Sequence, residues 1–279
     1  MAEKKADEVK VSDMNQISLD FLSGLGMAPV EFVELAATIG CGSITLGIQP
    51  LGSIGRYPTW SFRGAPALVR ETRKALVERG ITLAAGEGWF VVPRHDFGDT
   101  GGDLDIMAEL GAASISTCGL DPDLARSFDQ IAVLTEMAAA RGMGTNIEFV
   151  ATMPIGSLET ALEAVAHVGR PESGLVIDAM HLFRSGASAA DVAAVGPGLI
   201  RHVQVCDAPM TGTGDYGYEA TFERLPPGHG EFPLAELLAA VPRGVTLGLE
   251  IPMRARAEAG DDPVERLRPC VEATRKLMA

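Results

Sequence analysis

Strand-like and helix-like segments alternate along almost the whole chain, and this alternation limits the possible folds more than any other feature. Short apolar and β-branched runs predict eight strands, at residues 16–23, 42–48, 81–87, 112–118, 144–150, 173–180, 199–206 and 244–251. Longer stretches rich in Ala, Leu and Glu predict eight helices, at residues 28–39, 65–79, 102–110, 121–140, 157–168, 188–195, 233–240 and 262–277. Strict alternation implies parallel strands joined by right-handed crossovers. We therefore expect an α/β fold in which eight such units close into a (β/α)₈ TIM barrel.

The main rival is a doubly wound open sheet, which the same alternation would also allow. No G-x-G-x-x-G sequence follows the first predicted strand, and Gly24-Leu25-Gly26 alone is too weak a signal for a dinucleotide site. The 279 residues suit a single barrel, and no low-complexity linker divides them. We predict a flexible tail at residues 1–14 and a single barrel domain at residues 15–279.

The composition narrows the class of partner. The formal net charge of −14 argues against nucleic acid, whose recognition needs clusters of Lys and Arg. The four cysteines lie far apart without a C-x-x-C pair, as expected for free thiols in a reducing compartment. The charged N-terminus has no apolar signal segment, and no run reaches the roughly 18 apolar residues of a membrane span. We expect a cytoplasmic protein with a small-molecule substrate and no nucleic-acid or membrane partner; a homo-oligomer stays open.

Polar side chains stand at the ends of four consecutive predicted strands. Glu148 lies near the end of strand five, and Asp178 ends strand six. Gln204 lies on strand seven, and Glu250 ends the apolar run VTLGLE of strand eight. Since catalytic groups of TIM barrels cluster at the carboxyl ends of the strands, these four should share one rim. Any one of them alone is more simply a rim residue in an ion pair or in water. Three carboxylates buried together, however, repel one another unless a cation compensates them, so we predict a divalent metal ion.

Several motifs occur in chain order at the expected strand ends. They are Glu148 in NIEF, Asp178 and His181 in IDAMH, His202, Gln204 and Asp207 in H-x-Q-x-x-D, Arg224 to Leu234 in RLPPGHGEFPL, and Glu250 in LGLEIP. On these motifs, residues 15–278 resemble the xylose isomerase-like superfamily, the sugar phosphate isomerase/epimerase group of TIM barrels. The resemblance implies that the metal ligands are Glu148, Asp178, Gln204 and Glu250. It also implies that His181 and Arg224 contact the substrate.

The sequence departs from the common family pattern at two positions. Most members resemble H-x-H-x-x-D on strand seven, with the second His as a ligand, whereas this chain has Gln204 there. Gln occurs at this position in certain dehydroshikimate dehydratases. The catalytic His that such dehydratases place two residues after the strand-five Glu is Val150 here. The first departure favours a dehydratase and the second argues against one, so the subfamily stays open.

The implied ligand set suggests both a metal and a type of chemistry. Three carboxylates and an amide oxygen favour Mg²⁺ or Mn²⁺, whereas His202 in place of Gln204 would favour Mn²⁺, Co²⁺ or Zn²⁺. Such an ion would chelate a substrate carbonyl and a neighbouring hydroxyl, and would stabilise an enediolate. Glu148 or Glu250 would remove the α-proton, as these two glutamates do in related epimerases. His181 would hydrogen-bond the substrate or protonate a leaving group, or else only orient Asp178.

We therefore expect an isomerase or epimerase of a small polyhydroxylated ketone or sugar. The alternative is a dehydratase of a cyclic keto-polyol such as an inosose or 3-dehydroshikimate. An apurinic-site endonuclease on the same fold would need a His-rich site and a basic face, which five histidines and the acidic charge disfavour. A non-catalytic barrel is disfavoured by the intact ligand set.

Four further residues are weaker candidates for substrate contact. Glu87 ends strand three with inward parity, and Trp89 follows it. Trp60 lies in the long loop after strand two, and loops of more than about 12 residues are often functional. His202 shares the strand-seven face of Gln204. Specificity should lie in loops 49–63, 88–101 and 207–231, so the sequence does not name the substrate.

Overall fold

Eight parallel strands form a closed barrel in the computed structural model, which describes residues 17–94, 96–196, 198–212 and 214–278. The strands are β1 (Ile17–Leu19), β2 (Ser43–Gly47), β3 (Thr82–Val91), β4 (Ser114–Gly119), β5 (Gly144–Glu148), β6 (Ser173–Asp178), β7 (Ile200–Val205) and β8 (Thr246–Leu249). Each strand pairs with the next in chain order, and β1 also pairs with β8, which closes the sheet. The predicted single (β/α)₈ TIM barrel is confirmed. The predicted tail at residues 1–14 lies outside the described residues.

Helices connect the strands and cover the outside of the barrel. They are α1 (Pro29–Ile39), α2 (Pro66–Arg79), α3 (Gly101–Leu110), α4 (Leu124–Ala139), α5 (Leu158–Val168), α6 (Ala179–Arg184), α7 (Ala189–Ala193), α8 (Tyr216–Phe222), α9 (Leu234–Ala240), α10 (Arg254–Glu258) and α11 (Pro263–Met278). Asp123 caps α4 by accepting a hydrogen bond from Arg126 N, and Ser157 caps α5 from Thr160 N. Gly40 ends α1 in the left-handed conformation, which a residue with a Cβ adopts only with strain. Within the described ranges, no helix combines the length and apolar composition needed to cross a membrane.

The hydrophobic core lies between the barrel wall and the helices. Alternate strand residues, among them Ile44, Ile115 and Ile177, are fully buried and belong to one cluster with helix residues such as Leu104 and Leu134. Burial of each such side chain contributes roughly 1.5–3 kcal/mol. A register slip of one residue would turn this aliphatic row towards the barrel axis, so the core also fixes the register. The register in turn fixes which polar residues face inward.

The inside of the barrel is lined mainly by small and polar residues. In the described chain these include Ser18, Thr45, Ser116, Asn146, His202 and Gly248. Barrels of this type are more often filled by bulky branched side chains. Asp20, directly after β1, and His202, on β7, meet over Gly248 with 2.7 Å between Oδ2 and Nε2. A Cβ at Gly248 would overlap both side chains, so the position requires glycine.

Several predicted element boundaries were wrong for local reasons. Strand β1 ends at Leu19, because the chain turns into a 3₁₀ helix at Phe21–Gly24. Strand β3 continues to Val91, with a register shift against β4 between Gly86 and Trp89. Strand β6 stops at Asp178, because the next residue begins α6. The helices α6, α8 and α10, of five to seven residues each, were not predicted.

Candidate metal centre

The four predicted metal ligands stand at the carboxyl end of the barrel on four consecutive strands. Glu148 is the last residue of β5, Asp178 is the last of β6, and Glu250 directly follows β8. Gln204 on β7 pairs with Asp178 on one side and with Gly248 on the other. Asp178, Gln204 and Glu250 are buried, and the Glu148 side chain is 13% exposed. Three carboxylates and one amide therefore occupy a largely dry site.

Arg224 lies among these side chains as a buried counter-ion. Its Nη1 is 2.5 Å from Asp178 Oδ2, and its Nη2 is 2.9 Å from Glu250 Oε2. Its Nε donates to the carbonyl of Ala220 at 2.7 Å, so all three guanidinium nitrogens have protein partners. The sequence resemblance implied that Arg224 contacts the substrate. In the structure its charge is instead directed at two of the predicted metal ligands.

The backbone on both sides of Arg224 is held by two strand ends. Leu225 forms an antiparallel bridge with Asp207, just beyond β7. Glu223 forms another with Met253, just beyond β8. These bridges fix the position from which the arginine side chain enters the cluster. The motif that begins at Arg224 is therefore an ordered loop that places the guanidinium group of Arg224 at the barrel mouth.

Gln204 presents one unpartnered oxygen to the cluster. Its Nε2 donates a hydrogen bond to Glu250 Oε1 at 2.9 Å. Its Oε1 is buried and has no hydrogen-bond partner among the described residues. Such an acceptor costs about 1–3 kcal/mol if nothing satisfies it. The arrangement suits an oxygen that receives a cation or a ligand donor.

His181 joins the cluster through the first turn of α6. Asp178 caps this helix, because its Oδ1 accepts a hydrogen bond from His181 N at 3.0 Å. The His181 Nε2 lies 3.5 Å from Glu148 Oε1, and its Nδ1 lies 2.5 Å from the Tyr216 hydroxyl. One ligand atom each from Glu148, Asp178 and His181 fall within 4.8 Å of one another. His181 is thus a candidate ligand in addition to a substrate contact.

Burial separates the pKa values of these groups. It raises the pKa of Glu148 to about 7, with repulsion from Asp178 adding and the charge of Arg224 opposing. It raises the pKa of Glu250 well above the ordinary value. Burial acts on Asp178 in the same direction, but Arg224 and His181 outweigh it and lower that pKa to about 2. Burial lowers the pKa of His181 to about 4, so its imidazole is neutral.

The charges and donor atoms of the cluster fit a divalent cation. Arg224 offers one positive charge to three carboxylates, and two of these have pKa values raised by burial. A divalent ion would offset the remaining negative charge and favour the ionised form of a glutamate that acts as a base. Oxygens of Glu148 and Asp178 lie close enough to share an ion, and the free Gln204 Oε1 offers another hard donor of the kind that such ions prefer. Glu250 is not in the group that the described residues bring within this distance, and its two oxygens are engaged by Gln204 and Arg224.

Glu87 and Trp89 lie on β3 and line a cavity of about 310 Å³. Burial raises the pKa of Glu87 to about 8, and the charge of Asp20 adds to this effect. Trp89 is buried on the helix side of the strand. Its ring and the side chain of Met107 in α3 both lie 3.0 Å from the position that a Cβ on Gly86 would occupy. Of these two residues, Glu87 is the one whose carboxyl group is near enough to Glu148 for the Glu148 charge to raise its pKa.

Trp60 anchors the loop after β2. Its Nε1 donates to the carbonyls of Gly26 and Met27 at 3.2 and 3.1 Å. Its ring packs edge-on against Phe21 and Phe62. These contacts fix the loop against the start of the barrel, and substrate contact by Trp60 stays a prediction.

His202 lies one inward-facing position before Gln204, deeper in the barrel. Its Nε2 is bonded to Asp20, whose charge outweighs the effect of burial and raises the pKa of His202. Together with Ser114 and Asn146 it lines a cavity of about 820 Å³ at the opposite, N-terminal mouth. The structure therefore does not bring His202 together with the four predicted ligands.

A family comparison covers most of this barrel. A model of the xylose isomerase-like TIM barrel family matches residues 33–270. The chain belongs to the xylose isomerase-like TIM barrel family. The resemblance inferred from the strand-end motifs is confirmed.

Relatives of this xylose isomerase-like barrel differ in activity. The 3-dehydroshikimate dehydratase of Pseudomonas aeruginosa is 29% identical over 146 residues, which are 50% of this chain and 23% of that protein. The chain thus matches less than a quarter of that relative's length. A crystal structure of an IolI protein with a bound zinc atom has a TM-score of 0.76 at 17% identity, covering 94% of this chain and 98% of its own. A D-allulose 3-epimerase from Methylomonas sp. has a TM-score of 0.68 at 16% identity, covering 94% and 98%.

The family assignment makes an enzyme the expected type of protein and leaves its reaction open. The two solved structures share the fold with this chain at identities too low to carry an activity. The two named relatives, a dehydratase and an epimerase, carry out different reactions. The choice between them depends on the site.

Sequence reasoning missed three residues at the site of this xylose isomerase-like barrel. Asp20 bonds His202, and the available signal was a single carboxylate within the apolar run QISLDFLS. The Cys118 Sγ lies 3.5 Å from Glu148 Oε2, at the inward-facing end of strand four. Tyr216 bonds His181, and it begins the short helix α8, whose sequence shows no periodic pattern.

Proposed function

We propose that the protein is a divalent-metal-dependent isomerase or epimerase of a small polyhydroxylated ketone or sugar. The observation that carries the proposal is that Glu148 and Glu250, from β5 and β8, stand at one barrel mouth with Asp178 and Gln204 on the strands between them. A carboxylate held beside a bound substrate acts as a general base when it is ionised and as a general acid when it is protonated. Two such groups around one cluster can remove a proton from a substrate carbon and return one.

The residues divide the proton transfers between them. One glutamate removes the proton α to the substrate carbonyl. The other glutamate starts in its protonated form and gives its proton to the opposite face of the same carbon, which yields an epimer. Alternatively, the first glutamate returns the proton it took to the neighbouring carbon, which yields an isomer. Asp178, with its pKa lowered to about 2, stays ionised throughout. Arg224 holds Asp178 and Glu250 in place, and neutral His181 hydrogen-bonds a substrate oxygen.

We assign metal binding to Glu148, Asp178, Gln204 and Glu250. When bound, the metal polarises the carbonyl and stabilises the negative charge that develops on its oxygen. The unpartnered Oε1 of Gln204 supports its place in the set. An all-oxygen set favours Mg²⁺ or Mn²⁺ over zinc.

A metal-dependent dehydratase of a cyclic keto-polyol is the second candidate. Its support is the 29% identity to a 3-dehydroshikimate dehydratase over half of the chain. Such an enzyme would remove the same α-proton, after which the bond to a β-hydroxyl breaks and the hydroxyl leaves as water. Val150 stands where the catalytic His of such dehydratases is expected, which ranks this candidate second.

Incubation in D₂O separates the two reactions. The purified protein, loaded with Mg²⁺ or Mn²⁺, is mixed with ketoses and with cyclic keto-polyols, and the products are examined by NMR and mass spectrometry. An isomerase or epimerase places deuterium on carbon without loss of water. A dehydratase yields a product lighter by one water.

Metal-stripped protein and the Glu148→Gln variant are the controls, and both should be inactive. Deuterium incorporation at an equal rate without metal would contradict the metal dependence. Loss of water without any isomeric product would replace the first candidate by the second.

A further inference from the structure

Two short helices at the barrel mouth contact each other at two points with the same spacing. His181 and Arg184 are three residues apart on α6, and Tyr216 and Glu219 are three residues apart on α8. The His181 Nδ1 lies 2.5 Å from the Tyr216 hydroxyl. The Arg184 Nη2 donates to Glu219 Oε1 at 2.8 Å. Because residues three apart share a helix face, the two pairs hold the helices together side by side.

The ion pair keeps the tyrosine in place. The side chains of Arg184 and Glu219 are only 7% and 10% exposed. Arg184 also donates from Nε to the carbonyl of Pro209, and its guanidinium lies 6.0 Å from the centre of the Tyr216 ring. Asp215 caps the start of α8. The Tyr216 hydroxyl is thus aimed at His181 by a buried scaffold.

The surroundings of His181 distinguish its two nitrogens. A neutral imidazole carries one proton, so one nitrogen donates a hydrogen bond and the other accepts one. Nε2 faces Glu148 Oε1 at 3.5 Å, and this carboxyl group can only accept once it is ionised, as it is in alkaline buffer. A proton on Nε2 suits this neighbour, whereas a bare Nε2 would place two lone pairs opposite each other. Nδ1 is then the acceptor, and the Tyr216 hydroxyl is its donor.

We propose that Tyr216 is a positioning residue that holds His181 in the Nε2–H tautomer, so that His181 presents an N–H to the substrate and is not a metal ligand. Metal binding through Nε2 would require the opposite tautomer, with the proton on Nδ1. The inference rests on the proposed function in taking His181 and Glu148 as parts of one site. It removes His181 from the group of three residues that are close enough to share a cation.

NMR of ¹⁵N-labelled histidine side chains distinguishes the two tautomers directly. Spectra are recorded on the full chain in alkaline buffer, metal-free and with Mg²⁺ or Zn²⁺, and the His181 signals are assigned with His181→Gln. We expect the Nε2–H tautomer in all three states. Tyr216→Phe keeps the ring and removes the donor, so it should shift the Nδ1 signal and mix the tautomers. Tyr218→Phe is the matched control on the same helix; this side chain is 46% exposed, and its removal should leave His181 unchanged.

Two further variants keep the proposal open to refutation. Glu219→Gln weakens the ion pair without touching either ring, and it should produce a smaller change of the same kind, even if Tyr216→Phe folds poorly. Arg79→Lys, on the exposed ion pair of α2 with Glu34, should produce none. An Nδ1–H tautomer with bound metal, or an unchanged His181 spectrum in folded Tyr216→Phe, would overturn the proposal. Since no substrate enters this experiment, its result is independent of whether ketoses are turned over.

Discussion

Glu250 is held by both of its carboxylate oxygens. Oε1 accepts a hydrogen bond from Gln204, and Oε2 pairs with Arg224. The substitution Glu250→Gln keeps the size of the side chain and removes its charge. If Glu250 transfers a proton, we expect kcat to fall at least about 100-fold, the usual contribution of a general acid or base. Deuterium incorporation into substrate measures the rate, and circular dichroism checks the fold.

Glu258→Gln is the control for the same chemical change. The Glu258 side chain is 49% exposed and pairs with Arg254 across one helical turn, so the rate should stay at the wild-type value. An unchanged rate in Glu250→Gln would exclude Glu250 from the proton transfers.

Gln204 makes the metal preference of the site testable. An amide oxygen is a harder donor than an imidazole nitrogen, so Gln204→His should keep metal binding but shift the preference from Mg²⁺ and Mn²⁺ towards Co²⁺ and Zn²⁺. Gln204→Glu, which keeps an oxygen donor, should preserve the wild-type order. The measurement is the affinity of each stripped protein for the four ions by calorimetric titration. Equal relative affinities in the wild type and Gln204→His would place Gln204 outside the ligand set.

Elements with a clear repeat could be predicted from the sequence, and short elements could not. All eight strands and α1 to α5, α7, α9 and α11 were expected near their observed positions, because each has an apolar pattern of its own. The missed helices α6, α8 and α10 have five to seven residues, too few to show a helical period. Two of these helices, α6 and α8, are held by a tertiary contact with each other, the ion pair of Arg184 with Glu219.

The same distinction applies to the candidate site. The four strand-end residues could be predicted because strand parity and the barrel rule place them on one rim. The position of Arg224 could not, because its side chain reaches Asp178 across 46 residues of sequence. Asp20 and Tyr216 depend likewise on tertiary contacts with histidines far away in the chain. Sequence patterns therefore located the acids of the site but not the groups that orient them.

The glycine on β8 tests the packing inside the barrel. A methyl group at Gly248 would overlap Asp20 and His202, so Gly248→Ala should destabilise the protein by about 1–3 kcal/mol. Gly102→Ala in α3 adds the same methyl where nothing lies within 4 Å, and it should be neutral or stabilising by up to about 1 kcal/mol. Urea unfolding gives both free energies. Equal stabilities of the two variants would show that the pair over Gly248 moves aside without cost.

For the molecule as a whole, the buried acids make stability depend on pH in two directions. The pKa values of Glu148 and Glu87 are raised from 4.5 to about 7 and about 8, so the folded state holds protons that the unfolded state has already released. The stability that these groups give is fully present below pH 4.5 and is lost as the pH rises to about 8. Asp178 acts in the opposite sense. Its pKa falls from 3.8 to about 2, so its contribution is present above pH 3.8 and is lost as the pH falls to about 2.

A bound cation should therefore stabilise the protein more at high pH than at low pH. At about pH 5 the ion must displace the proton of Glu148, whereas at about pH 8.5 that carboxylate is ionised and its charge is uncompensated. We expect the metal-free protein to have a lower Tm at the higher pH and to gain more from Mg²⁺ there. An ion at 100 times its Kd stabilises the fold by about 2.7 kcal/mol. Glu148→Gln lacks the titrating group, so its metal-free Tm should depend less on pH and its gain from Mg²⁺ should be smaller. Calorimetry of stripped and loaded samples measures both effects. The same gain from Mg²⁺ at both pH values in the wild type would show that the cluster does not exchange protons for metal.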